Sequence, residues 1–163
     1  MIVLKNILVA TDFSEPSTNA LAYGRDLARS YNATLHVLHV TENILSRYAP
    51  EVAFSVPEMQ RDLDRAARRE LDALITADDL RTLPVVAALE SATNAATAIV
   101  DYAKTHEIDL IVTGTHGRGV VQHLIMGSVA ERVVRTAPCP VLTVRAHERE
   151  FIAPDALNVA ASA

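Results

Sequence analysis

The sequence is poor in cysteine and contains no long apolar run. Its single cysteine, Cys139, excludes an intramolecular disulfide and fits a reducing compartment, so a cytoplasmic protein with a small buried thiol is expected. No stretch approaches the roughly 18 apolar residues that a membrane-spanning helix needs. The apolar start MIVLKNILVATD lacks the basic region of a signal peptide and is interrupted by Lys5 and Asn6, which favours a buried strand. No membrane association is expected.

Positive charge is also in deficit. The 163 residues carry 15 lysines and arginines against 20 aspartates and glutamates, a net charge of −5, whereas nucleic-acid surfaces usually show a basic stripe. No nucleic-acid partner is therefore expected. Two phosphate-binding patterns are missing as well: the P-loop G-x-x-x-x-G-K-[ST], and G-x-G-x-x-G after the first strand. A chain of this length predicts one domain.

Five β-branched runs alternate with helical patterns along the chain. The runs are NILVAT, ATLHVLHV (ending at Val40), PVVAALE, DLIVTG and PVLTVRA. A first helix is predicted with Ser14 as its N-cap and an end near Asn32, a second from Met59, and two more over ATAIVDYAKTHEI and SVAERVVRTA. In the second helix, the positions expected to face the core are Met59, Leu63, Ala66, Leu71, Leu74 and Ile75.

Strands that are apolar on both faces and separated by helices predict an α/β fold. We expect a single doubly wound domain, with a parallel sheet covered by helices on both faces. Right-handed crossovers limit the strand order to a few arrangements. In such sheets a ligand binds beyond the carboxyl ends of the strands, where the strand order reverses. The segments of interest are therefore TDFS after the first strand, VTEN after the second, and the loop after the fourth.

The loop after the fourth strand holds four of the chain's five glycines, within GTHGRGVVQHLIMGS. Glycine lets a ligand approach the main chain closely, and bare N–H groups beside a helix start form a cradle for an anion such as phosphate. The alternative is local turn chemistry. Ser128 and Glu131 form the capping-box pattern S-x-x-E, which would satisfy the helix start without a ligand. The residues alone leave both interpretations open.

The spacing Gly114-x2-Gly117-x9-Gly127-Ser128 is similar to the ATP-binding pattern G-x2-G-x9-G-[ST] of the universal stress proteins. ILVATDFS, DLIVTGTHGRG and GSVAERVVRTAPCPVLTV resemble other characteristic segments of that family, in matching order over residues 3–146. One departure is LESATNAATAI, which has no glycine where many members carry one after the third strand. The resemblance implies a five-stranded parallel sheet of order 3-2-1-4-5 in a domain over residues 1–146. The tail 147–163 stays unassigned.

The resemblance also implies a site for ATP, or its product AMP, with Mg²⁺. Asp12 would contact the ribose, with Ala10 and Thr11 beside it. The Val40 backbone would hold the adenine edge, and Thr113 would lie near the same nucleoside. The positions implied to meet the phosphates are Gly114, His116 and Gly117 on one side, and Gly127, Ser128, Val129 and Ala130 at the helix start.

Three functions are consistent with these patterns. The resemblance favours a nucleotide-responsive regulator in stress response, in which binding orders the loop 114–127; family members usually dimerise through the last strand, here residues 140–144. The second is a slow ATPase or autophosphorylating enzyme, for which no catalytic residue is assigned, because Asp12 is the only acid placed near the nucleotide and its implied partner is the ribose. The third is a nucleotide-free dimeric interaction protein, against which the intact glycine motif argues.

The histidines and one long segment complete the expectations. His36 and His39 lie three apart on a strand and so point to opposite faces, which disfavours a shared metal ion. His116 in the glycine loop would either donate to a phosphate, the interpretation that we favour, or be a loop residue in solvent. Residues 41–57 show no clear period; they form either a lid or a segment whose Tyr48 and Phe54 pack on a neighbouring helix.

Overall fold

The structure, a computed structural model, describes residues 1–44, 56–115 and 126–145. Strands and helices alternate through these ranges, with one extra helix before the third strand. None of the helices in these ranges is long and apolar enough to cross a bilayer. The elements in chain order are β1 (Asn6–Thr11), α1 (Glu15–Tyr31), β2 (Thr34–Glu42), α2 (Val56–Leu74), α3 (Ala77–Thr82), β3 (Val85–Ala92), α4 (Ala95–Thr105), β4 (Leu110–Gly114), α5 (Ser128–Thr136) and β5 (Val141–Val144).

The strands form one parallel sheet of order β3-β2-β1-β4-β5, which confirms the predicted fold and strand order. β1 lies at the centre, and its side chains alternate between two cores. Ile7 and Val9 pack in the core that contains α1 and α2, whereas Leu8 and Ala10 pack in the core that contains α4 and α5. A strand with both faces covered must be apolar at consecutive positions, which explains the run NILVAT.

α1 approaches the sheet closely. Ser14 is its N-cap and Asn32 its C-cap, as predicted, and Asn32 adopts the left-handed conformation with φ 51°. In the middle of the helix, a Cβ at Gly24 would lie 2.3 Å from Val9 Cγ2. The missing side chain therefore lets α1 lie directly on β1, and the first turn of the helix reaches the carboxyl ends of the strands.

Two element boundaries and one helix differ from the predictions. β2 continues past Val40, and α2 begins at Val56 rather than Met59. α3 was not predicted, because its 6 residues are too few for a visible apolar period. Thr76 and Asp79 form a capping box at its start, and that pattern was the available signal. Among the described helices, the one over SVAERVVRTA is therefore the fifth and not the fourth.

The predicted buried face of α2 is wrong in its first half. Leu71 is fully buried as expected, but Met59 and Leu63 are 50% and 44% exposed. Gln60 is buried in their place. Hydropathy assigns a glutamine to solvent, so the periodicity could not place it on the inner face. The remaining predicted positions are half-buried: Ala66, Leu74 and Ile75.

Cys139 packs against the core beneath α4 and α5 and is half-buried rather than fully buried. Burial raises the pKa of its thiol, and the Asp109 carboxylate nearby adds to the effect. The thiol form is therefore favoured, as in an unreactive packing residue.

Candidate functional site

A cavity of about 340 Å³ lies at the carboxyl ends of the central strands. The ends of β1, β2 and β4 line it together with the first turns of α1, α4 and α5. The strand order reverses between β1 and β4, which is where doubly wound sheets bind ligands. The volume falls within the range of about 300–1,000 Å³ typical of small-molecule sites. Position and size together identify this cavity as the candidate site.

Most of the residues implicated by the sequence meet in this cavity. The structure does not describe His116 and Gly117, nor does it describe Tyr48, Phe54 and the tail 147–163. Segments far apart in the chain therefore converge on one cavity. The contacts that its lining residues would make with a ligand stay predictions. The ten described residues from the sequence analysis that line the cavity are Ala10, Thr11, Asp12, Val40, Thr113, Gly114, Gly127, Ser128, Val129 and Ala130.

The turn after β1 holds the Asp12 carboxylate in place. Its Oδ1 accepts hydrogen bonds from the Ser14 backbone N–H at 3.2 Å and from Ser14 Oγ at 2.5 Å. Phe13, between them, has φ 65°, in the left-handed region that costs a non-glycine residue on the order of 1 kcal/mol. Such strain persists only where surrounding contacts hold it, and it is common at binding sites. The Ser14 hydroxyl therefore positions Asp12 and does not cap α1.

Contacts from β1 and β2 hold this turn. The Phe13 N–H donates to Thr11 Oγ1 at 3.1 Å, and the Phe13 ring lies on the His39 ring with 4.2 Å between centroids. His39 Nδ1 is 2.8 Å from the Thr11 carbonyl oxygen, which can only accept, so Nδ1 carries the proton. The ends of β1 and β2 are thus joined beside Asp12.

The start of α5 faces the cavity without a side-chain cap. Gly127 is the N-cap, and its carbonyl oxygen accepts the Glu131 N–H at 2.9 Å. The predicted capping box of Ser128 and Glu131 is wrong, because Ser128 already occupies the first helical position. No side chain in the described part of the chain caps this helix. Its first N–H groups and the helix dipole therefore form a site suited to an anion.

Backbone hydrogen bonds fix the position of the α5 start relative to the sheet. The Gly127 N–H donates to the Thr115 carbonyl oxygen at 2.7 Å, and the Thr115 N–H donates to the Val144 carbonyl oxygen of β5 at 2.8 Å. Thr115 is itself buried and lines the cavity. The helix start is therefore preorganised by β4 and β5, whatever occupies the cavity.

Several lining residues were not predicted. Leu38, His39 and Thr115 flank predicted residues on the same strands, so considering whole strand ends would have found them. The others come from α1 and α4, and their approach to the cavity depends on helix packing that the sequence does not display. The six additional lining residues are Ser17, Leu38, His39, Ala95, Ile99 and Thr115.

The two ends of the cavity differ in chemistry. Between β2 and α4 the lining is apolar, from Leu38, Val40, Ala95 and Ile99. At the opposite end, the first N–H groups of α5 face the cavity without a side-chain cap. Asp12 lies between these ends, because β1 separates β2 from β4 in the sheet. The cavity can therefore hold a molecule with an apolar end, a polar middle and an anionic end.

The histidines of β2 point to opposite faces, as predicted. His36 is buried beneath α4, where its Nδ1 is 3.0 Å from the Tyr102 hydroxyl, and the His106 ring stacks on Tyr102 with 3.8 Å between centroids. Burial lowers the pKa of His36, and the charge of His106 lowers it further. Within the described ranges, no three potential metal-ligating side chains converge. His36 is therefore a neutral core residue at pH 7.

Folding stability should decrease as the pH falls below 6.5, the ordinary pKa of histidine. The unfolded chain then binds a proton at His36, whereas the folded chain does not until its lowered pKa is reached. The stability that neutral His36 contributes is thus fully present above pH 6.5 and declines as the pH falls below that value. It becomes constant below the folded pKa, where both states bind the proton. Urea unfolding between about pH 5 and pH 8 measures this dependence.

His36→Asn keeps a polar atom near the Nδ1 position and removes the titration. Its pH profile, the free energy of unfolding plotted against pH, should therefore be flatter than that of the wild type. His106→Asn should flatten the profile less, because repulsion by His106 is the smaller of the two causes. Identical profiles for the wild type and His36→Asn would contradict the assignment.

Comparison with known proteins identifies the family. The model of the universal stress protein family matches residues 4–145. A universal stress protein of Thermus aquaticus is 36% identical over 143 residues, which cover 88% of this chain and 100% of that protein. The family match spans the sheet and every described lining residue of the cavity.

Solved structures share the architecture. The universal stress protein UspA of Lactobacillus plantarum has a TM-score of 0.73 at 28% identity, over 89% of this chain and 100% of that one. A universal stress protein of Archaeoglobus fulgidus, solved in complex with dAMP, has a TM-score of 0.58 at 20% identity, over 88% and 99% of the two chains. At that identity the second structure shows the fold alone. From the family match and the sequence identity, we conclude that the chain belongs to the universal stress protein family.

Proposed function

We propose that this protein binds an adenine nucleotide, ATP or AMP, and acts as a nucleotide-responsive regulator. The observation that carries the proposal is the cavity, with its apolar end, its central carboxylate and its uncapped helix start. A nucleotide presents a base, a ribose and phosphates in that same order. The dAMP complex of the Archaeoglobus fulgidus relative supports an adenine nucleotide as the ligand.

The base would lie between β2 and α4. Leu38 and Val40 on the strand and Ala95 and Ile99 on the helix offer apolar surfaces to the faces of a purine. The Val40 backbone would bond the adenine edge, and the Asp12 carboxylate would accept hydrogen bonds from the ribose hydroxyls. The apolar lining and the central position of Asp12 support this orientation.

The phosphates would lie at the start of α5. None of the described lining side chains is a lysine or an arginine. Within the described part of the site, the attraction for phosphate would therefore come from the N–H groups and dipole of α5. Mg²⁺ bound with ATP would neutralise part of the triphosphate charge.

Binding is favoured over catalysis. Phosphoryl transfer needs positioned cations and a group that orients the nucleophile. Asp12 is the only carboxylate among the described lining residues, and Ser14 bonds its Oδ1. Any hydrolysis should therefore be slow. Steady release of ADP, abolished by Asp12→Ala, would instead support the ATPase alternative.

Calorimetric titration of nucleotide-stripped protein with ATP and Mg²⁺ tests the proposal. We expect saturable binding of one ATP per chain, and an increase in the melting temperature because the ligand binds the folded state. AMP should compete for the same site. No heat and no thermal stabilisation at millimolar ATP would contradict nucleotide binding and favour an interaction protein.

Asp12→Asn should weaken ATP binding by about 10- to 100-fold, the usual value of hydrogen bonds to a charged group. The measurement is the dissociation constant of ATP and of its 2′,3′-dideoxy analogue. If Asp12 contacts the ribose, the preference for ATP over the analogue should shrink in the variant. Glu15→Gln is the matched control, because Glu15 is exposed and does not line the cavity. Equal preferences in Asp12→Asn and the wild type would exclude a ribose contact.

The regulatory part of the proposal concerns the β5 edge, through which we propose that two copies form a homodimer. β5 is an outer strand, and Leu142 on it and Val134 on α5 are partly exposed. The Thr115 N–H bonds the β5 residue Val144, so the lining of the cavity is directly joined to that edge. Sedimentation and hydrogen exchange of stripped and ATP-loaded protein test the link. If ATP changes the hydrogen exchange of the lining residues only, and alters neither the exchange of β5 nor the sedimentation, the proposed function is limited to nucleotide binding.

A further inference from the structure

Hydrogen bonds of buried polar side chains orient α2 in addition to its buried apolar residues, of which Leu71 is fully buried. Gln60 on this helix and Thr41 on β2 are only 7% and 6% exposed, whereas Met59 and Leu63 point outward. A buried polar side chain destabilises a fold unless its hydrogen bonds are satisfied. The partners of these inward polar groups therefore indicate why the helix is turned this way.

Gln60 binds the backbone where β2 ends. Its Oε1 accepts from the Ile44 N–H at 2.9 Å, and its Nε2 donates to the Glu42 carbonyl oxygen at 3.2 Å. Because a backbone N–H is only a donor and a carbonyl only an acceptor, these contacts also fix which amide atom is the oxygen. Nε2 also lies 3.0 Å from Asp64 Oδ1. One side chain thus holds a donor and an acceptor of the chain as it leaves the sheet.

Asp64 holds Thr41 from the same helix. The Thr41 hydroxyl donates to Asp64 Oδ1 at 2.7 Å and lies 3.2 Å from the Glu90 carbonyl oxygen on β3. Side chains alternate along a strand, so Thr41 is anchored on the α2 face while Val40 faces the cavity on the α4 face. Gln60, Asp64 and Thr41, with their hydrogen bonds, form what we call the anchor. It lies directly behind the end of β2 that lines the cavity.

We propose that Gln60 and Asp64 are positioning residues that set the base selectivity of the nucleotide site. The inference rests on the proposed function, in which the Val40 backbone bonds the adenine edge. A 6-amino purine and a 6-oxo purine exchange a donor for an acceptor at that edge. Fixed backbone groups can distinguish them only if the strand end does not shift to suit the other base. The anchor behind Val40 prevents that shift.

The test compares ATP with inosine triphosphate, which carries a 6-oxo purine. Gln60→Leu, Asp64→Ala and the milder Thr41→Val each remove part of the anchor. Each should lower the ratio of ATP affinity to inosine triphosphate affinity by about tenfold, the value of one well-placed hydrogen bond. The matched control is Asp62→Ala, because Asp62 is an exposed carboxylate of the same helix, 3.2 Å from Arg65. The control should keep the wild-type ratio.

Amide hydrogen exchange of residues 41–44 in nucleotide-free protein gives a readout that does not depend on the ligand. The anchor variants should exchange faster there, with a melting temperature that shows an intact fold. If Asp64→Ala does not fold, Thr41→Val decides, since it replaces a hydroxyl by a methyl group of similar size.

The outcomes separate the two proposals. Faster exchange together with a lower ratio supports the positioning role. A ratio that stays at the wild-type value in the folded variants overturns that role and leaves nucleotide binding intact. A wild type that binds ATP but does not prefer it to inosine triphosphate also overturns the role. A wild type that binds neither nucleotide overturns the proposed function as well.

Discussion

Replacing Gly114 with alanine should lower the free energy of unfolding by about 2 kcal/mol, within the usual range for overpacking. A Cβ at this position would lie 2.9 Å from two atoms of Pro16 and 3.0 Å from the Ser17 nitrogen, in the first turn of α1. Two of the three contacts are to backbone atoms, so no rotamer change can relieve the overlap. At an unstrained strand position the same substitution would stabilise by about 0.5–1 kcal/mol. Urea unfolding measures the difference.

Gly24→Ala is the comparison variant, because the nearest overlap there is with a side chain, Val9 Cγ2. Combining it with Val9→Ala should recover part of the stability lost at Gly24, which a double-mutant cycle reports as coupling. Pro16→Ala should recover little of the loss at Gly114. A fully stable Gly114→Ala, or complete recovery by Pro16→Ala, would show that the first turn of α1 can move away from β4.

The position of Gly114 changes how the glycine motif is understood. The close approach of α1 requires a glycine there, whether or not a phosphate lies nearby. None of the described glycines has a positive φ, so conformational freedom is not the reason. Part of a motif that resembles a binding pattern is therefore needed to bring the first turn of α1 to the cavity.

Asp79→Ala should cost about 3 kcal/mol of stability, near the lower end for breaking a buried ion pair. The Asp79 side chain is 1% exposed, and its two oxygens accept from Arg25 Nε at 2.9 and 3.0 Å. Its Oδ2 also accepts the Thr76 N–H at 3.0 Å, which completes the capping box of α3. The substitution would leave Arg25, whose side chain is 19% exposed, without its main partner. Urea unfolding of the two proteins at neutral pH measures the cost.

Asp78→Ala is the matched control, because Asp78 is exposed and pairs with the exposed Arg29 and Arg81. Surface pairs of this kind contribute about 0–1 kcal/mol. Burial by itself raises the pKa of Asp79, but hydrogen bonds from Thr76 and Arg25 hold it below its ordinary value of 3.8. The stabilisation should therefore be present above that value and be lost as the pH falls through the folded pKa. Equal, small losses at Asp78 and Asp79 would contradict a stabilising role for the buried Arg25–Asp79 ion pair, which joins α1 and α3.

Patterns that depend on neighbouring residues in the chain were sufficient for the fold class, a parallel sheet covered by helices on both faces, whereas the strand order came from the resemblance to the universal stress proteins. β1 has the predicted bounds, because covering both faces of a central strand makes it apolar throughout. The ends of α1 at Ser14 and Asn32 were predicted from local patterns, although the Ser14 side chain makes no capping hydrogen bond. The residues at strand ends could be assigned to one site because parallel strands place their carboxyl ends on one edge.

Features that depend on distant residues could not be predicted in the same way. Hydropathy placed Met59 and Leu63 inside, but the hydrogen-bonding groups at the end of β2 turn Gln60 inward instead. The S-x-x-E pattern predicted a capping box at Ser128, yet the helix begins after Gly127, whose backbone is held by Thr115.

Periodicity thus specified the fold class, and the resemblance to the universal stress proteins added the strand order and most of the residues that line the cavity. Tertiary packing alone decided how those residues are held: the approach of α1 to Gly114, the anchor behind Val40 and the uncapped start of α5. The physical reason is that hydropathy reports the average preference of a residue for burial. The contacts that shape a site depend instead on individual donors, acceptors and interatomic distances between segments remote in the chain.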